Sequence, residues 1–239
     1  ADHETAIGWQ ALANNTTGTY NTAVGCEALE ANTTENNNTA IGHKAFHVCT
    51  TQSEGTAVGA LAGQNVTTGD QNCLFGYNAG GSVTTGHSNI AMGAYALDAA
   101  TTTSHNTAVG NAALSSADSH YNTAIGSSSL QTATTGDRNT GCGYGTLYDT
   151  TTGSQNTACG MSALENNTTG SANCSVGYNT LVGNTTGDYN TAVGHQALFA
   201  NTTTSNLTAI GWNALGANTT GTANTAVGYS ALDANTTGV

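Results

Sequence analysis

The sequence contains no proline at all, and of its 239 residues only Lys44 and Arg138 are basic. Charged residues of both signs make up only 7% of the chain. A disordered chain of this polarity would carry many charges or prolines, so disorder is excluded as the general state. The 14 acidic residues leave a net charge of -12. Such a chain has almost nothing with which to neutralise phosphates, which argues against nucleic acid and anionic membranes as partners. The lack of Lys and Arg also leaves little for trypsin-like proteases to cut. A membrane span needs roughly 20 consecutive apolar residues, and no such run occurs. No basic, apolar-cored signal segment stands at Ala1, so a signal for export would have been removed or would lie outside this chain. No C-x-x-C occurs among the six cysteines, which argues against a zinc or redox motif.

What is present is repetition. An anchoring glycine recurs at Gly8, Gly25, Gly42, Gly59, Gly76, Gly93, Gly110, Gly126, Gly143, Gly160, Gly177, Gly194, Gly211 and Gly228. Every interval is 17 residues except Gly110 to Gly126, which is 16. The consensus reads N-T-A-[IV]-G-x-x-A-L-x-x-N-T-T-G-x-x. The column before the glycine is apolar throughout, from Ile7 and Val24 to Phe75, Met92, Cys142, Cys159 and Val227. Two residues earlier, Thr gives way to Cys73, Ile90 and Cys174. Both columns are therefore expected to face inward, with Ala between them, in the period-two alternation of a β-strand. Leu follows the glycine by four residues in eleven coils, with Phe46, Gly63 and Gly80 in the others, and is expected on a second short strand. The N-T-T-G segment is turn chemistry.

Two strands and two turns are too small to hold a core alone, so coils must stack at about 4.8 Å. The expected fold is all-β: one parallel β-solenoid domain over 1–239, with fourteen coils on the order of 67 Å long at that spacing. Helix-pair repeats need roughly 30 or more residues per unit, and the Gly, Thr and β-branched content opposes helices.

The N-T-A-[IV]-G strand followed by A-L resembles the head repeats of YadA-like trimeric adhesins, and similar runs occur in phage tail-fibre and related virion proteins. The resemblance spans the whole chain. It implies a left-handed parallel β-roll, trimerisation and binding to a host surface. The coil here is longer than in the adhesin heads, and neither a heptad stalk nor an outer-membrane anchor is present.

The repeat is running at both ends, from Thr5-Ala6-Ile7-Gly8 to Asn235-Thr236-Thr237-Gly238. No cap is recognisable at either end, so the chain is expected to be a segment of a longer protein or to stack head to tail into a filament. Val239 stands eleven residues after Gly228, and Asp2-His3-Glu4 precede Thr5, so a following copy nearly continues the register. Trp212 and Tyr229 would then run on into Trp9, which makes Trp9, Trp212, Tyr229 and Val239 the candidate self-assembly interface.

Candidate chemistry is sparse. Cys73, Cys142, Cys159 and Cys174 read as small core hydrophobes. Cys142 and Cys159 share a column at disulfide distance, but stacked parallel Cβ vectors suit a disulfide poorly. His87, His105 and His120, five or six residues before successive glycines, are the one weak metal set; three solvated turn histidines are the plainer reading. Asp70, Asp137 and Asp188 share a turn position in separated coils, unlike calcium-binding nonapeptide repeats. No catalytic constellation and no cofactor site stand out. N-x-[ST] occurs at Asn15, Asn32, Asn65, Asn167, Asn184, Asn201, Asn218 and Asn235, and Asn14, Asn37, Asn166, Asn173 and Asn206 also fit. These are either glycan acceptors or turn residues forming hydrogen-bonded ladders. Thr stands eight residues after the glycine in thirteen coils, with Asp118 the exception. Regular Thr arrays suggest ice binding as an alternative function. The expectation is a non-enzymatic extracellular or virion fibre component whose partners are itself, stacked or trimeric, and a cell-surface or matrix ligand.

Overall fold

The computed structural model describes residues 3–238. The chain divides into two compact units, Ala1–His120 and Tyr121–Val239. The first carries seven strands: β1 (Thr5–Ile7), β2 (Thr22–Val24), β3 (Thr39–Ile41), β4 (Thr56–Val58), β5 (Cys73–Phe75), β6 (Ile90–Met92) and β7 (Thr107–Val109). The second carries β8 (Thr123–Ile125), β9 (Thr140–Cys142), β10 (Thr157–Cys159), β11 (Cys174–Val176), β12 (Thr191–Val193), β13 (Thr208–Ile210) and β14 (Thr225–Val227). Within each unit successive strands pair in parallel, in chain order. Thr5 lies opposite Thr22 and Ala6 opposite Ala23, and Thr191 opposite Thr208 in the second unit. Both units are therefore parallel β-solenoid, with one coil per repeat. Among the described residues no helix is long and apolar enough to cross a membrane.

The alternation of the strand is as expected, but its phase is reversed. The central residue points inward: Ala23, Ala40, Ala57, Ala158, Ala192 and Ala209 have no exposure at all. The flanking Thr and Ile/Val columns lie on the outer face, half-buried or exposed, with Met92 at 45% and Ile210 at 40%. The interior of so small a coil is already occupied by the Leu column and by the Ala that precedes it, buried at Ala28, Leu29, Ala197 and Leu198. Only a methyl group fits opposite them, because a packed interior rejects extra methylenes. Cys73, Cys142, Cys159 and Cys174 follow their columns outward. Cys142 and Cys159 are exposed and the other two half-buried, so none is a core residue.

Among the described residues the second strand is absent. Leu12, Leu29 and Leu198 have φ of 53°, 51° and 53°, in the left-handed region, where an extended strand cannot pass. This conformation costs about 1–3 kcal/mol for a non-glycine residue unless its surroundings enforce it. Here the buried side chain and the next coil do so: Leu29 N–H donates to the Ala45 carbonyl at 3.1 Å, and Leu198 N–H to that of Ala214 at 3.0 Å. Two further left-handed corners, as at Glu27 and Tyr20, complete each coil.

The anchoring glycine is set by a close approach between coils. Gly25 has φ of 139°, and a Cβ there would lie 2.5 Å from the Gly42 carbonyl oxygen. That separation is well inside contact distance, so no other residue fits between two stacked coils.

Two ladders of buried asparagine join the coils. In the column preceding the strand, Asn72 Nδ2 donates to the Gly69 and Gly86 carbonyls, both at 2.8 Å, while its Oδ1 accepts from Asn89 N–H at 3.0 Å. Asn156 repeats the pattern, donating to Gly170 and accepting from Asn173. Buried amides are tolerated in this column because Nδ2 and Oδ1 both find partners, as at Asn72 and Asn156. The second ladder starts the N-T-T-G turn, where Asn184 Nδ2 donates to Asn167 Oδ1 at 2.9 Å and to the Gly187 carbonyl at 3.0 Å.

The 16-residue coil lacks one residue of this turn. Asn106 Nδ2 reaches the Ser119 carbonyl 13 residues on, whereas Asn89 spans 14 to that of Thr103. Asp118 still meets Thr101 at the usual 17, so the missing residue falls between Asp118 and Ser119.

Candidate functional site

The surface of the coils carries the candidate chemistry, and most of its polar groups serve coil-to-coil bonding. In the turn threonines, Thr16 Oγ1 donates to the Thr33 carbonyl and Thr168 Oγ1 to that of Thr185, both at 2.9 Å. Most hydroxyl protons of this column are thus engaged inside the solenoid rather than offered to an ice lattice. Three residues later, a polar side chain accepts from a backbone N–H of the preceding coil. Asp70 Oδ1 takes that of Ser53, and Asp188 Oδ1 that of Ser171, both at 2.7 Å.

His120 occupies the same role, its Nδ1 accepting from Ser104 N–H at 3.1 Å. His87 and His105 meet edge to face with centroids 4.9 Å apart. The three do not converge on a common point. Among the described residues, the groups able to surround a metal ion do not include them.

Asparagines of the glycosylation pattern fall into two sets. Asn32, Asn167, Asn184, Asn201 and Asn218 are fully buried, and the Nδ2 of each donates inside the turn. Asn173 is also buried, and Asn15 and Asn235 are half-buried in the same turn column. Their placement favours the ladder role, since a buried amide that donates to a carbonyl has no room for a glycan. Asn14, Asn37, Asn65, Asn166 and Asn206 are exposed, although Asn65 Nδ2 still donates to the Gly81 carbonyl.

The column after the anchoring glycine is outward and rich in rings. In the second unit Tyr178, His195, Trp212 and Tyr229 stack in series, with centroids 5.2, 6.1 and 4.8 Å apart and planes within 29° of parallel. The stack ends on Tyr229, which is 78% exposed. Trp9 stands in this column in the first coil of the other unit, also exposed. Val239 lies outside the described residues.

One cluster was missed in the sequence. Cys26-Glu27-x-x-Glu30 and His43-Lys44-x-x-His47 lie 17 residues apart, so stacking sets them side by side. His47 Nε2 lies 3.2 Å from Glu27 Oε2 and 3.0 Å from Glu30 Oε2, and Lys44 Nζ lies 3.3 Å from Glu27 Oε2. Cys26 Sγ sits 3.8 Å from Glu27 Oε1. Burial and the Glu27 carboxylate push the Cys26 thiol above its ordinary pKa. Aligning the repeat by column, rather than scanning for local motifs, is the signal that would have found this group.

Cys49 is the one fully buried cysteine among the described residues. It takes the place of the ladder asparagine, and burial pushes its pKa up to about 12. No protein family, curated protein or solved structure matches the chain.

Proposed function

We propose that the chain is a non-enzymatic structural fibre element, displayed outside the cell or on a virion, whose coils stack from one copy onto the next. The observation that carries this reading is the self-complementarity of the coil. The face that each coil offers its successor is also the face it receives from its predecessor. It comprises the same Gly contact, the same Asn and Thr hydrogen bonds and the same Leu column. In interior coils these groups are covered by the next coil: Leu198 and Leu215 are fully buried. Covering a Leu side chain contributes about 1.5–3 kcal/mol, and the aromatic stack would gain Trp9 of the next copy. Heterologous contacts of this kind extend without closing.

Electron microscopy of the purified chain over a range of concentrations tests this, with filaments the expected result. Tyr229→Arg and Val227→Asp should stop elongation while leaving the fold intact by circular dichroism. Particles of one chain's mass at every concentration would remove the reading.

A side-by-side trimer is the second reading, favoured by the outward Ile/Val column. Ile41, Met92, Ile125 and Ile210 remain 40–45% exposed in register with one another within their units, and exposed apolar surface of this extent marks interaction sites. A discrete mass of three chains without elongation would select it. An adhesive role, through a cell-surface or matrix ligand, is compatible with either assembly.

A further inference from the structure

We propose that Glu27, Glu30 and His47 form a binding site for one divalent ion of the zinc class on the first unit. The three donor atoms come from two adjacent coils, so stacking places them without help from a flexible loop. His47 Nε2 stands 3.2 Å from Glu27 Oε2 and 3.0 Å from Glu30 Oε2. In a tetrahedral site with bonds of about 2.0–2.1 Å, ligand atoms are separated by about 3.3 Å. The two imidazole–carboxylate spacings are therefore nearly those of a filled site, and all three donors lie within 4.8 Å of one another.

The chemistry is also suitable. One imidazole nitrogen and two carboxylate oxygens are ligands for zinc and its neighbours in the transition series, with a fourth position left for water. The donors of Glu27, Glu30 and His47 lie within 4.8 Å of one another, and those of Cys26 and His43 gather around the same Glu27. All five candidate ligands thus fall on two coils of a chain that holds seven histidines and six cysteines in 239 residues. The Glu27 and Glu30 side chains are only 18% and 23% exposed. Two carboxylates within 4.8 Å of each other in a partly desolvated site favour a cation beside them.

Lys44 now supplies part of that positive charge, 3.3 Å from Glu27 Oε2. Its side chain is 35% exposed and free to swing to solvent when an ion arrives. Lys44 is then a competitor, and this separates a metal site from an ordinary ion-pair cluster. In a plain ion-pair cluster, removing Lys44 only weakens the local structure. In a metal site it tightens binding of the ion.

The test is titration calorimetry with zinc chloride on the metal-stripped full chain in chelator-free buffer near neutral pH. Saturable binding of one ion per chain is expected. Affinity should fall at least tenfold in Glu30→Gln and in His47→Ala, rise in Lys44→Met, and stay unchanged in His105→Ala. Circular dichroism of each metal-free variant checks the fold, and the isosteric Glu30→Gln serves if His47→Ala is poorly folded. A rise in Tm with zinc, absent from Glu30→Gln, is the second readout. The proposal is overturned by the lack of saturable binding, by binding that survives both ligand variants, or by a Lys44→Met variant that binds no more tightly than the parent.

Discussion

In the first unit the Leu column is broken by Phe46, Gly63 and Gly80, whereas in the second unit Leu stands in all seven coils. The first unit nevertheless packs as fully as the second. Leu74 replaces the inward Ala of β5 and fills the space that Gly63 and Gly80 vacate. A Cβ on Gly63 would meet Leu74 Cδ1 at 2.7 Å and Phe46 Cε1 at 2.6 Å, and one on Gly80 would meet Leu74 Cδ2 at 2.8 Å. The second unit makes the same exchange on a smaller scale. Gly141 makes room for Ser129 and Thr146, whose hydroxyls bond at 2.7 Å, and the Ser175 hydroxyl donates to the Thr180 carbonyl. What both units conserve is the filled volume of a coil, not the residue in any one inward column.

The turn column differs in the same way. The first unit passes from Asn15 and Asn32 to Cys49, Val66 and Val83, and the second from Ala133 and Thr150 to a run of asparagines from Asn167 onward. Either an amide ladder or an apolar ladder serves, provided that neighbouring coils agree. Asn32 Oδ1, facing Cys49, finds no donor, and Asn201 Oδ1 lacks one even within the asparagine run.

The largest effect should come from the feature that both units share. Gly177→Ala places a Cβ 2.5 Å from the Gly194 carbonyl oxygen and is expected to cost more than ~4 kcal/mol or to prevent folding. In the unassembled chain Gly228→Ala is the control, because its nearest neighbour is 3.9 Å away and only the strain of φ at 131° remains. A loss of about 1–3 kcal/mol is expected there. Urea unfolding of the two variants measures the difference.

Next comes the exchange of volume. Leu74→Ala should cost about 3–5 kcal/mol, since the flanking glycines cannot fill the cavity. Ala192→Leu, the converse change in the second unit, should cost about 1–3 kcal/mol by overpacking against Leu181 and Leu198. Adding Leu181→Gly and Leu198→Gly should recover part of that loss. A triple variant less stable than Ala192→Leu alone would break the volume argument.

The turn ladders predict a smaller contrast. Asn184→Ala should cost about 1–3 kcal/mol, because it leaves the buried Asn167 Oδ1 without a donor and removes one of the two acceptors of Asn201 Nδ2. Cys49→Val, next to Val66, should be within about 1 kcal/mol of the parent at neutral pH.

The pH dependence of Cys49 sharpens this last case. Its folded pKa of about 12 lies above the ordinary 9.0, so the folded chain keeps a proton that the unfolded chain loses. The stability it contributes is complete below pH 9 and is lost as pH rises from there through 12, at about 1.4 kcal/mol per unit. The denaturation midpoint of the parent should therefore fall relative to that of Cys49→Val between about pH 9 and pH 10.5. A thiol reagent applied to the native chain should modify the exposed Cys142 and Cys159 quickly and Cys49 slowly.

The sequence by itself determined the repeat length, the coil boundaries and the parallel solenoid, because a recurring glycine and a period-two strand admit few other packings. It could not determine which phase of the alternation faces inward. Ile and Val are more apolar than Ala, so hydropathy points them to the core, but the bore of a 17-residue coil is too narrow to take both them and Leu. Leu74 set against Gly63 and Gly80 carried that information, legible only once residues far apart in the chain are recognised as neighbours. The second strand was misjudged for a related reason: left-handed backbone at Leu is enforced by the next coil and has no local signature. The glutamate–histidine cluster followed the same rule. Its members are 17 residues apart, and only stacking makes them a site.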